Sequence, residues 1–326
     1  MAKSKNQKHS RKKKDDDASE DEADDDVTDD EEEEMERMSA DDAWLFPIIG
    51  SGALLSLYLI VKYVGTVWLN RLLGWYFAIA GVGSLWQSFC SLMRFAVGNA
   101  RWREFERLRF TVEKGQRVIA SAAPRWPSLV LLLLAVVPST AYVFVGAARR
   151  SVLLTDILGL SFATNAISLL RLDSFRTGCI LLAGLFVYDV WWVFGTEVMV
   201  KVATTLDVPI KLLWPKSILL AAGRGHTMLG LGDVVIPGTF VALALRYDAA
   251  RGTGGKGCFW AAMGGYVVGL GVTMGVMHIF GKAQPALLYL SPSCILAVGL
   301  WGVARGELQG LWIWTDGPER GKVNVE

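Results

Sequence analysis

The chain has 326 residues, 52% of them hydrophobic, and a formal net charge of +1 that conceals a segregated distribution: 18 of its 32 acidic residues lie in residues 1–42. So uneven a balance says nothing about partners, and nothing in it calls for nucleic acid. Beyond residue 42, apolar stretches of roughly 20 residues recur, the length that crosses a bilayer, which excludes an ordinary soluble domain.

Residues 1–42 open with a basic block (Lys3, Lys5, Lys8, Arg11 to Lys14) and continue in an acidic run from Asp15 to Glu36. A segment so charged buries no core and reads as a disordered cytosolic tail. Ser19 and Thr28, each followed by acidic residues, are candidate sites for an acid-directed kinase. The charged N-terminus lacks the apolar stretch of a cleavable signal peptide, so the first span is expected to act as the insertion signal.

Eight spans are expected, at about 44–65, 72–94, 128–148, 152–170, 177–199, 227–247, 259–281 and 284–304. With the tail in the cytosol, cytosolic segments hold 24 Lys and Arg residues and the opposite side holds 8. Positive charge stays on the cytosolic side, so both termini are expected there and the 200–226 connection in the lumen.

Between the second and third spans, Arg101 to Phe110 places Trp102, Phe105 and Leu108 on one helical face, as an interfacial helix requires. Residues 108–112 also alternate like a strand, so helix and strand both stay open there. In the seventh span, Gly265 with Gly269 and Gly271 with Gly275 are spaced for close helix packing. Pro285 suits the first position of the eighth helix, where a missing N–H costs nothing. Cys90, Cys179, Cys258 and Cys294 have neither metal-ligand nor redox spacing and read as ordinary thiols.

Two spans each carry an aspartate. Asp189 stands twelve residues from Thr177 and ten from Met199, so roughly 15–18 Å from either end of its expected helix. A carboxylate at the bilayer centre costs ~2.5–3.5 kcal/mol on insertion scales, so such acids are rare and usually functional. Brought within a few ångströms, Asp189 and Asp233 cannot both ionise; they share a proton, one as base toward a water and the other as acid toward a carbonyl. Gly230 and Gly232 loosen the backbone before Asp233, and Pro237 removes the N–H that would bond the Asp233 carbonyl in a regular helix. Broken helix within a membrane is tolerated where it lines a polar cavity, and it lets a substrate backbone come close.

Tyr188-Asp189, Gly230-Leu231-Gly232-Asp233 and Gln284-Pro285-Ala286-Leu287, in that order on three suitable spans, resemble the motif set of the presenilin-type intramembrane aspartyl proteases. The longer runs Phe186 to Ala203, Met228 to Gly238 and Met277 to Leu290 are more similar to the signal peptide peptidase branch than to presenilin, and the similarity extends from Phe46 to Gln309. The resemblance implies an all-α polytopic membrane protein with Asp189 and Asp233 as the catalytic pair. It implies that Tyr188, Gly230, Leu231, Gly232, Pro285, Ala286 and Leu287 shape the site and the entry of substrate. It further implies cleavage of leftover signal peptides and other type II helices in the endoplasmic reticulum membrane, without a metal or organic cofactor. The lipid bilayer is the other implied partner, with a homo-oligomer left open.

The expected organisation is the 1–42 tail, a membrane-embedded protease domain over 44–309 and a short cytosolic tail over 310–326. Family members have nine spans, a luminal N-terminus and a C-terminal di-lysine retrieval signal. Here eight are counted, the acidic tail stands where the first span would begin, and the chain ends Lys322-Val-Asn-Val-Glu326.

Other chemistries fit less well. The histidines are His9, His226 and His278, without the His-Glu-x-x-His pattern of a metalloprotease. A rhomboid-like serine protease would need Ser161, in Gly159-Leu-Ser161, to meet His278. A proton- or cation-coupled transporter would use the same two aspartates, but its usual internal repeat is missing. A catalytically dead helix-binding protein would not need both acids. A presenilin-like enzyme would be expected to carry a long hydrophilic loop in place of the short 200–226 connection.

Overall fold

Ser39 opens the first long helix. Its hydroxyl accepts from the Asp42 N–H at 3.4 Å, and the Asp42 carboxylate accepts from the Ser39 N–H at 3.0 Å, a reciprocal capping box. Helix α1 (Ala40–Val64) ends at Gly65, whose φ of 91° turns the chain directly into α2 (Thr66–Val97). The computed structural model describes residues 38 to 316, except 107, 109, 115–116, 123–124, 146–151, 207–208, 216–225, 253 and 281–283. Most of the expected tail, with Ser19 and Thr28, lies outside the described residues.

The chain continues through a short α3 (Asn99–Glu104), a hairpin of β1 (Phe110–Lys114) and β2 (Arg117–Ala122), then α4 (Trp126–Phe144) and α5 (Val152–Leu169). Next come α6 (Phe175–Phe194), a short α7 (Val198–Thr205), and a second antiparallel hairpin of β3 (Lys211–Pro215) and β4 (His226–Gly230). Helices α8 (Gly232–Ala250), α9 (Gly257–Phe280), α10 (Leu287–Arg305) and α11 (Leu308–Ile313) complete it.

Each expected span thus has its long helix. Of these, α1, α4, α5, α6, α9 and α10 are long and apolar enough to cross a membrane. Helix α2 carries Asn70, Arg71 and Arg94, and α8 carries Asp233, Arg246 and Asp248. The open choice near Arg101 to Phe110 resolves into both: helix α3 ends at Glu104, ahead of Phe105 and Leu108, and strand β1 begins at Phe110.

Three boundaries differ from expectation, each for a local reason. The span expected over 227–247 is strand up to Gly230 and helix only from Gly232, because residues 226–230 pair with 211–215. The span expected over 177–199 ends at Phe194, and a separate helix begins after Gly195. Pro285 is not the first helical residue: Ala286 is the N-cap and Leu287 begins α10.

Two larger cores hold the bundle, beside a small cluster in which Val202 and Leu206 of the α7 segment pack on α1 and α2. The larger gathers α6, α8, α9 and α10 around Leu181, Leu182, Phe240, Leu243 and Leu290. Phe175 anchors one end of it, edge-on to Phe240 and Tyr247 at centroid distances of 5.7 and 5.6 Å. The smaller joins α2, α4 and α5 around Leu85, Tyr142 and Leu158. Helix α5 belongs to both halves, since it also packs on α8 and β3.

The glycine pairs of α9 divide. At Gly265 a methyl would stand 2.7 Å from the Ser293 carbonyl oxygen, and at Gly269 it would stand 3.0 Å from the Leu290 Cα, so α10 lies against this pair. Gly271 and Gly275 face open space. At one end of the bundle, Met38 N–H donates to the Arg171 carbonyl at 2.9 Å and Asp316 N–H to the Asp173 carbonyl at 2.7 Å. The chain therefore stays packed past residue 309, with Leu311 buried.

Candidate active site

Asp189 lies five residues before the end of α6 and is 3% exposed. That puts it about 8 Å from the helix end, nearer than the expected 15–18 Å, because α6 stops at Phe194. Its partner comes from α10: the Leu287 N–H donates to Asp189 Oδ2 at 3.1 Å. The first N–H groups of a helix have no intrahelical acceptor and carry the positive end of its dipole, so the start of α10 suits a carboxylate. Pro285, Ala286 and Leu287 form the buried turn that aims this N–H, with the Leu288 N–H closing on the Pro285 carbonyl at 3.3 Å.

Asp233 occupies the first turn of α8. Its carboxylate folds back toward Gly230, where a methyl would stand 3.3 Å from Oδ2. Asp189 lies near enough to act on its charge, and Asp233 in turn lies near enough to act on Tyr266, on α9. The two aspartates, 44 positions apart in the chain, thus share one site. A strand that becomes a helix within two residues places the second of them: Gly230 ends β4 opposite Lys211, Leu231 is already α-helical in φ and ψ, and Gly232 begins α8.

The remaining expected residues divide by where their side chains go. The Tyr188 ring lies along α1, beside Gly50, with Trp192 at a centroid distance of 6.3 Å; Trp192 in turn donates to Ser51 Oγ at 3.1 Å. Leu231 turns toward α5, where a methyl on Gly159 would stand 3.5 Å from its Cδ2. Gly232 faces open space. Ser161 donates to the Leu158 carbonyl at 2.8 Å inside the second core, and His278 is exposed in the last turn of α9, so no serine–histidine pair forms.

The sequence reading missed Tyr266, Ile210, Gly159 and Asp156. Asp156 is the one with a signal: it is a further acid within an expected apolar span, 152–170.

The chain matches the family model for signal peptide peptidase over residues 30–317, a stretch that takes in both aspartates and the Pro285–Leu287 turn. The chain belongs to the signal peptide peptidase family. It is 39% identical to the signal peptide peptidase of Mus musculus over 286 residues, 86% of this chain and 74% of that one, and equally so to that of Homo sapiens. Intramembrane protease 2 of Caenorhabditis elegans is 45% identical over 180 residues, 50% of this chain and 38% of that one. This signal peptide peptidase family member is accordingly a multi-pass membrane protein of a protease family.

Proposed function

We propose that the chain is an intramembrane aspartyl endopeptidase that cleaves membrane-spanning helices of type II orientation, leftover signal peptides among them, in the endoplasmic reticulum membrane. The observation that carries the reading is that Asp189 and Asp233, on two different helices, lie near enough for one charge to act on the other, with Asp189 held by the buried N-terminus of α10. Two carboxyls so placed in a medium of low dielectric share a proton. The ionised one takes a proton from water as that water attacks the scissile carbonyl, and the protonated one gives its proton to the carbonyl oxygen. Such a pair titrates as a unit, so the proton is assigned to the pair and to neither residue.

The Leu287 N–H fixes the Asp189 carboxylate, and the bare Gly230 leaves room beside Asp233 for a substrate backbone. A helical peptide bond is shielded by its own hydrogen bonds, and strand next to the aspartate suits an unwound substrate better than a continuous helix would. Residues 44–309 form the protease domain in this reading, and the Pro285–Leu287 turn borders the path of substrate entry.

The test is cleavage of a type II signal-peptide reporter by the purified chain in lipid vesicles. Asp189→Ala and Asp233→Ala are each expected to lower turnover by about 1,000-fold or more while the protein stays inserted. A transition-state mimic directed at aspartyl proteases is expected to block the wild-type chain. Undiminished turnover in either variant would sink the pair, and ion flux without cleavage would favour a transporter.

A further inference from the structure

The β3–β4 hairpin that delivers Gly230 to the site is itself held from outside, by α5. Leu213, in β3, donates its N–H to Asp156 Oδ1 at 2.8 Å. Three residues along α5, Gly159 is buried and leaves the space in which the hairpin rests: a methyl there would stand 3.2 Å from Leu212 Cδ2, 3.5 Å from Leu231 Cδ2 and 3.5 Å from the Pro209 carbonyl oxygen. Asp156 and Gly159 lie on one face of α5, as a spacing of three requires.

A backbone N–H shielded from water must find an acceptor within the protein, and a carboxylate is a strong one. From this anchor the register runs unbroken to the catalytic end. Leu213 pairs with Met228, Leu212 with Leu229 and Lys211 with Gly230, and the Leu231 N–H closes on the Ile210 carbonyl at 3.0 Å. Asp233 follows two residues later.

We propose that Asp156 is a positioning residue for the cleavage reaction: by holding Leu213 it fixes the hairpin register that sets Gly230 and Leu231, and through them the Asp233 carboxylate. The inference deepens the protease reading and rests on it. Asp156 touches neither substrate nor the reacting atoms, and it acts as a hydrogen-bond acceptor. Its charge is not required. An asparagine keeps an acceptor oxygen at the same place, and an alanine removes it.

The experiment compares wild type, Asp156→Ala and Asp156→Asn in lipid vesicles, with Asp233→Ala as the control on the reading beneath. For Asp156→Ala, kcat is expected to fall at least tenfold and the affinity of the transition-state mimic to fall with it, while KM stays within about twofold of wild type. Asp156→Asn is expected to recover most of both losses.

Amide hydrogen exchange supplies a readout that needs no turnover. Asp156→Ala is expected to lose protection over residues 210–213 and 228–231, and Asp156→Asn to keep it. Wild-type kcat in the alanine variant, equal losses in both variants, or unchanged protection in the alanine variant each overturn the inference. Should Asp233→Ala still cleave, the aspartyl reading fails by itself, and the exchange comparison still decides whether Asp156 sets the hairpin.

Discussion

At Gly230 the missing side chain is a matter of tenths of an ångström. A β-carbon built there stands 3.3 Å from Asp233 Oδ2, closer than ordinary van der Waals contact, so alanine forces the carboxylate to move. Misplacing a catalytic group by about an ångström costs on the order of a hundredfold. Gly230→Ala is therefore expected to lower kcat between about tenfold and a hundredfold with little change in the melting temperature, and steady-state kinetics beside a thermal scan will read both. A variant with wild-type kcat would show that the site has slack beside Asp233. The pair of acids and the three motif segments were legible as residues, since an acid in an apolar span stands out on energetic grounds alone. The hydrogen bond from Leu287 to Asp189 was not, because a backbone donor leaves no trace in residue type.

Elements differ in what they tolerate. Helices α9 and α10 pack through Gly265 and Gly269, and Ser293 Oγ donates to the Gly265 carbonyl at 2.7 Å across the same contact. Small residues let helix backbones approach where lipid supplies no hydrophobic drive. Gly265→Leu or Gly269→Leu is expected to destabilise the chain by about 1–3 kcal/mol through overpacking, seen as a lower unfolding temperature in detergent. The same exchange at Gly271 or Gly275, both in open space, is expected to leave it unchanged. The spacing of the two pairs is identical, so only the partner helix tells them apart.

Helix α8 holds Pro237 buried four residues past Asp233, and the Asp233 carbonyl has no N–H from that position to accept. Pro237→Ala supplies it and stiffens the turn that carries the aspartate. Activity is expected to fall more than stability, and equal losses in a paired assay would mark the proline as purely structural.

Over the whole molecule, the segment before α1, the α5–α6 connection and the chain after α11 meet at one end of the bundle through Met38, Arg171, Asp173 and Asp316. Residues 38 and 316 therefore lie at the same end of the bundle, and with an even number of spans between them they are expected on the same side of the membrane. Tags placed ahead of residue 38 and after residue 316 are expected to share one accessibility in sealed vesicles, on the face richer in Lys and Arg. Opposite accessibilities would mean that one long helix does not cross.

The sequence by itself determined the long helices and the helix-rich class and singled out the two aspartates, because each rests on a local quantity: apolar length, or the energy of an acid in a span. It misjudged where the second aspartate's span begins. Residues 227–230 lead without a charge into the apolar run that follows, yet residues 226–230 pair as strand with residues 211–215 across the connection. Tertiary structure alone decided that pairing, the donation from Leu287 to Asp189, and the rest that Asp156 and Gly159 give the hairpin. The physical reason is common to all three. A backbone N–H shielded from water must find an acceptor, and which group supplies it depends on the chain that lies alongside.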